Sequence, residues 1–178
     1  MVLYKTRNFA VLMGIVFGFY ALIYSFKDHV GYSVTGSVPV GFYQIGKHQT
    51  LSTLQRGEYF SFCLPKAVAD VGLKAGYLQA GRCPSGSEPL LKQVIALPGD
   101  HVQLTDQAII VNGTRYPAPR LLFDNTGQKI LHRVPYGSRV ARKVWVYGSG
   151  DFVHSWDSRY YGGITPEILN KMTPLWVF

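Results

Sequence analysis

From Phe9 to Phe26 the chain carries no charged residue and is almost wholly apolar, and this run constrains everything around it. As a helix rising about 1.5 Å per residue it extends roughly 27 Å, close to the hydrocarbon thickness of a bilayer. Lys5 and Arg7 precede it, so the positive-inside rule keeps the N-terminus in the cytoplasm and sends the chain beyond Lys27 to the other side. A cleaved signal peptide is the competing reading, but Tyr24-Ser25-Phe26-Lys27 is a poor match to a small-x-small cleavage site. The expected organisation is a cytoplasmic segment over 1–8, a transmembrane anchor in contact with lipid over 9–26, and an extracytoplasmic domain over 27–178.

At 178 residues the chain has room for one domain with a proper core beyond that anchor. The net charge of +8, from 18 Lys and Arg against 10 Asp and Glu, favours an anionic surface as neighbour. The basic residues are scattered, and neither a helix-turn-helix nor an aromatic stacking motif accompanies them, so nucleic acid is not an expected partner and a membrane surface is. Cys63 and Cys83 are the only cysteines. Outside the cytoplasm such a pair reads as one disulfide, worth roughly 3 kcal/mol in the loop-entropy treatment; two buried thiols are the alternative. Their spacing fits no zinc motif and no histidine lies close by, so no metal and no cofactor is expected.

The remaining pattern is many short strands with long turns, which predicts a mainly β, all-β module. Residues 27–36 read as a short polar connector, after which Ser37 sits on a loop at the mouth of a strand. Gly41 to Lys47 has the spacing of a phosphate-binding loop, but His48 stands where the metal-binding hydroxyl belongs and the interior is aromatic. Glu58 to Leu64 alternates as a strand, and Pro65 opens a helix over 66–75 that Gly76 stops. Ala108 to Tyr116 carries the clearest hairpin signal, because Asn112-Gly113 fits a type I′ turn. Arg139 to Tyr147 reads as one strand, Thr165-Pro166 as the start of a helical turn, and Leu175 to Phe178 as a final strand.

Chemistry enters with Lys92, which heads the run Val94-Ile95-Ala96-Leu97 before the Pro98-Gly99-Asp100 turn. A lysine at the entry to a buried strand either snorkels to solvent or loses its proton through burial and acts as a base near neutral pH. A serine hydroxyl needs such a base within reach to become a nucleophile. His154 with Asp157 offers a rival triad, although no Gly-x-Ser-x-Gly elbow occurs.

Three segments, taken together, carry a specific resemblance: Gly36-Ser37-x-Pro39, then Lys92-x-Val94-x-x-Leu97-Pro98-Gly99-Asp100, then Ser155-x-Asp157-Ser158-Arg159-x-x-Gly162. In this order they resemble the signature boxes of the type I signal peptidases, over about Thr35 to Gly162. The Ser-x-Pro-x-Gly-Phe-Tyr form of the first box, the two cysteines around the middle insertion and the short chain are most similar to the conjugative-transfer peptidases of the TraF type. Val38 in place of the usual methionine, and Ser149-Gly150-Asp151 in place of Gly-Asp-Asn, depart from the housekeeping pattern and favour a dedicated substrate.

The resemblance implies a signal-peptidase-like fold and a Ser-Lys dyad, with Ser37 as nucleophile and Lys92 as general base. It places Ser155 where a hydroxyl orients the lysine, Asp157 and Arg159 where an acid and base support the site, and Thr35 where a hydroxyl assists the oxyanion. The resemblance also implies a need for Asp157 in activity, since it falls on the aspartate that the conjugative branch requires, and a structural salt bridge with Arg159 is the reading that stands beside that role. The implied substrate is an exported pilin precursor, cut by hydrolysis or closed into a ring, at the periplasmic face of the bacterial inner membrane. The reading from another class is a non-catalytic anchored β-scaffold of a secretion or conjugation apparatus.

Overall fold

The structure, a computed structural model, describes residues 2–26, 29–131, 133–149 and 154–178. Helix α1 (Val2–Phe26) leads into strands β1 (Val30–Ser33), β2 (Gly41–His48) and β3 (Tyr59–Cys63), helix α2 (Lys66–Lys74) and strand β4 (Leu90–Ala96). Strands β5 (His101–Leu104), β6 (Ala108–Val111), β7 (Thr114–Pro117), β8 (Gly137–Val140) and β9 (Trp145–Tyr147) come next. A single helical turn, α3 (Ser158–Tyr161), and the long strand β10 (Glu167–Val177) complete the order. The strands form two antiparallel sheets, β1-β2-β10-β3-β4-β9 and β7-β6-β5-β8, so the mainly β reading holds.

Strand β4 is the hinge of the architecture. Val94 faces one apolar cluster with Phe60, Phe62, Val146, Trp156 and Tyr160, while Ile95 faces another with Val102, Ile109, Trp145 and Tyr147. Being buried on both faces is why this stretch is continuously apolar and does not alternate. Lys92 lies two residues before Val94, hence on the same face, and pairs in register with Phe60, so its stem runs along the first cluster. The Pro98-Gly99-Asp100 turn then fixes the strand end: Asp100 Oδ2 accepts from the Leu97 amide at 2.7 Å and Oδ1 from Asn112 Nδ2 at 2.8 Å, with Arg56 paired to it.

Helix α2 starts after Pro65 and stops at Lys74, and the 108–117 hairpin turns at Asn112-Gly113, with Asn112 at φ 49°, both as expected. Cys63 and Cys83 form a disulfide that ties the loop leading into β4 to the end of β3. Three expectations are corrected. The polar connector contains a strand, Val30–Ser33, because β2 supplies it a partner in register from Val30↔Gln44 to Ser33↔Gly41. The single strand over 139–147 is two, in different sheets, since Ala141 crosses to hydrogen-bond at Asp100 and Gly99. The helical turn after Pro166 is instead the start of β10, which lies between β2 and β3 and pairs with both. The stretch from Gly41 to Lys47 is strand β2, so no phosphate loop exists there.

Helix α1 projects exposed apolar side chains, among them Phe9, Leu12, Ile15, Phe17 and Tyr20. Among the described residues no helix is long and apolar enough to cross a membrane. The side chains of 1–8, 10, 22, 23 and 26, within the segments assigned to the cytoplasm and the anchor, lie outside the described part of the chain.

Candidate active site

Ser37 sits in the bend between β1 and β2, entered through Gly36 at φ 62°, a left-handed conformation that glycine adopts without a steric penalty. Three contacts hold the bend. The Tyr43 hydroxyl donates to the Pro39 carbonyl at 2.6 Å, Val38 packs with Tyr43 and Met172, and the Ser149 amide donates to the Ser37 carbonyl at 2.7 Å. The Ser37 hydroxyl lies 2.9 Å from that of Thr35.

Lys92 is 5% exposed, and its Nζ donates to Ser155 Oγ at 2.8 Å. Among the described residues it has no salt-bridge partner. Burial lowers its pKa from 10.5 to about 8; the Asp157 carboxylate works against that shift and the Arg159 guanidinium adds to it. A buried ammonium without an ion-pair partner loses hydration that one hydroxyl acceptor replaces only in part, so the neutral amine becomes accessible near physiological pH. Ser37, Thr35, Lys92 and Ser155 all line one cleft of about 460 Å³, walled by Leu90, Leu91, Leu78 and Trp156.

Behind the cleft, Asp157 and Arg159 are both fully buried. Arg159 grips the carboxylate with Nε at 2.9 Å on Oδ1 and Nη2 at 3.0 Å on Oδ2. The Arg159 amide also donates to Oδ1 at 3.0 Å, capping α3, and the Gly148 amide donates to Oδ2 at 2.8 Å. Arg159 Nη2 returns to the Gly148 carbonyl at 3.0 Å, so the pair brackets the Gly148 peptide from both sides. Ser158 Oγ accepts from the Val146 amide at 2.8 Å. The third segment thus clamps the end of β9, and through Ser149 it positions the Ser37 loop.

A family model described as signal peptidase, peptidase S26, matches residues 4–176. The chain belongs to that signal peptidase family. It is 31% identical to the conjugal transfer protein TraF of Agrobacterium fabrum, over 82% of this chain and 81% of the relative. A plasmid transfer protein TraF of Escherichia coli is 29% identical over 80% of both chains, and a probable conjugal transfer protein TraF of Sinorhizobium fredii is 33% identical over 74% of this chain and 68% of the relative. No solved structure matches.

In this member of the family the structure places Thr35, Ser37, Lys92 and Ser155, all picked from the sequence, around the cleft, with Asp157 and Arg159 behind it. The rival triad does not assemble: the Asp157 carboxylate is saturated by four donors, and His154 is exposed while Asp157 is fully buried. Gly150 and Asp151, which open the third segment, lie outside the described residues.

Sequence reasoning passed over Gly148. A Cβ built there would fall 2.0 Å from Ser155 Oγ and 3.1 Å from Ser37 Cβ, so the two serines approach each other across a bare backbone. A glycine directly after the apolar strand 145–147 was the available signal, since glycine at a strand end marks a close approach. Gly148→Ala is therefore expected to push Ser155 off Lys92 and, if the cleft cuts peptides as its family does, to lower turnover on the order of 100-fold. Turnover of a precursor peptide checks this, and wild-type turnover would refute it.

Proposed function

We propose that this chain is a membrane-anchored serine endopeptidase that processes an exported pilin precursor for conjugative transfer, using Ser37 as nucleophile and Lys92 as general base. The observation that carries the reading is the buried Lys92 amine, lacking a carboxylate partner and held by Ser155 in the cleft that Ser37 lines. Ser37 Oγ attacks the scissile carbonyl while neutral Lys92 takes its proton. The tetrahedral oxyanion is met by the Ser37 amide and the Thr35 hydroxyl, donors that act strongly where water is scarce. The C–N bond then breaks, with Lys92 returning the proton to the leaving amine, and the acyl group on Ser37 passes to water or to the amino terminus of the pilin, which closes a ring.

Substrate binding uses the sheet edge. Leu90–Lys92 pair with β3 on one side, whereas pairing to β9 begins only at Gln93. An extended segment added beside Leu90–Lys92 is positioned to hydrogen-bond that edge and to place small side chains in the cleft. Anchoring comes from α1, whose exposed apolar side chains need cover. Trp176, Phe178 and Leu175 at the end of β10, with the Tyr32 and Phe42 rings 4.8 Å apart and tilted to one another, expose a further aromatic face of the kind that sits at a membrane interface. The catalytic domain then lies against the periplasmic face of the inner membrane.

Mass spectrometry of the full chain in detergent after a serine-directed acylating agent tests the chemistry. Modification of Ser37, and its absence after Ser37→Ala, is expected; an unmodified Ser37 would leave the anchored scaffold as the better reading.

A further inference from the structure

A second pocket, of about 200 Å³, adjoins the cleft and shares Tyr77, His154 and Trp156 with it. Its aromatic lining is a connected set: the Tyr77 ring lies 5.1 Å from that of Trp156, and Trp156 stacks on Tyr160 at 5.6 Å. Asp124 completes the wall. Its Oδ1 accepts from the Thr126 amide at 2.8 Å, the Thr126 hydroxyl at 2.7 Å and the Gln128 amide at 2.9 Å. Its Oδ2 accepts from the Tyr77 hydroxyl at 2.8 Å, which leaves that oxygen room for another donor.

These hydrogen bonds, led by the Thr126 hydroxyl, hold the Asp124 pKa down to about 2 against partial desolvation, so the carboxylate is ionised at any physiological pH. Among the described residues it pairs with no cation; the four ion pairs are Arg56–Asp100, Lys66–Asp70, Arg159–Asp157 and Lys171–Glu58. Aromatic rings and one fixed anion around a small pocket are the elements that receive an ammonium or guanidinium group.

We propose that this pocket is a cation subsite, which takes a lysine or arginine side chain or the free amino terminus of a peptide bound in the neighbouring cleft. As a substrate subsite it rests on the peptidase reading above. It would favour peptides carrying a positive group a short distance from the bond at Ser37, and an amino terminus held there would stand close to the acyl group it must reach.

Binding, measured without turnover, separates the two ideas. Full-length Ser37→Ala chain in detergent is titrated by ligand-observed NMR with N-acetyl-lysine amide, its neutral counterpart N-acetyl-norleucine amide, alanine amide and N-acetyl-alanine amide. Preference of about five-fold or more for the lysine over the norleucine probe assigns the subsite to side chains. The same preference for alanine amide over its acetylated form assigns it to amino termini. Asp124→Asn, which keeps an oxygen for Thr126 and Gln128, is expected to abolish whichever preference appears. Equal binding within both pairs of probes overturns the proposal even if Ser37 acylates; a cation preference in a chain whose Ser37 never acylates overturns only the peptidase reading.

Discussion

Replacing Lys92 by methionine is expected to lower pilin-precursor cleavage on the order of 1000-fold or more while making the fold more stable at neutral pH. Both effects come from one cause, the cost of keeping an ammonium in a nearly dry position. The folded-state pKa lies near 8 against 10.5 for a free lysine, so between those values the unfolded chain holds more proton than the folded one. Stability therefore rises with pH across that window. Below about pH 8 the full penalty applies, on the order of 3 kcal/mol, and above about pH 10.5 it has gone. Methionine fills the same channel without a charge, and losing the hydrogen bond to Ser155 gives back about 1 kcal/mol. Urea denaturation at pH 7 and again at pH 11 should show the variant ahead at the first and level or behind at the second. The wild-type pH profile of acylation should rise through an apparent pKa near 8, where the amine becomes neutral. Cleavage by the Lys92→Met variant at an appreciable fraction of the wild-type rate would end the general-base reading.

Asp157→Ala is expected to destabilise the domain by about 3–5 kcal/mol, because it strands the Arg159 guanidinium, fully buried, without its carboxylate. The Gly148 amide loses its acceptor at the same time, so the end of β9 and the Ser37 loop it holds through Ser149 both loosen. Activity falls as a consequence of that loosening. Pairing the change with Arg159→Met removes the uncompensated charge and should recover much of the stability without recovering activity, since the bracket around Gly148 is still missing. Chemical denaturation of the two variants beside turnover checks both statements. An Asp157→Ala protein as stable as the wild type yet inactive would make the carboxylate a participant in the chemistry and not a brace for it.

Local signals carried a good part of the fold. Pro65 and Gly76 bound helix α2, Asn112-Gly113 sets the 108–117 hairpin, and the unbroken apolar run after Lys92 marks a strand buried on both faces; each depends on residues within a few positions of one another. The misread elements are those whose partners are remote. Val30–Ser33 is a strand because β2 lies beside it, and residues 167–177 are extended because β2 and β3 on either side satisfy their backbone groups. Nothing within those segments announces a partner, and Thr165-Pro166 on its own favours a helix start. The 139–147 stretch alternates well enough for one strand, yet the chain leaves one sheet and enters the other within it.

By itself the sequence determined the chemical inventory and its order: a serine after glycine on a loop, a lysine heading an apolar strand, a Ser-x-Asp-Ser-Arg segment, two cysteines and one long apolar run. Only the tertiary structure decided that Thr35, Ser37, Lys92 and Ser155 line one cleft. It set Ser37 and Ser155 on either side of a glycine with no Cβ to separate them, and it made Asp157 a saturated brace in place of a partner for His154. It also decided the environment of Lys92, because desolvation is a property of the atoms packed around a group, and Phe60 on β3, Ser155 and Trp156 reach the Lys92 cleft from remote parts of the chain.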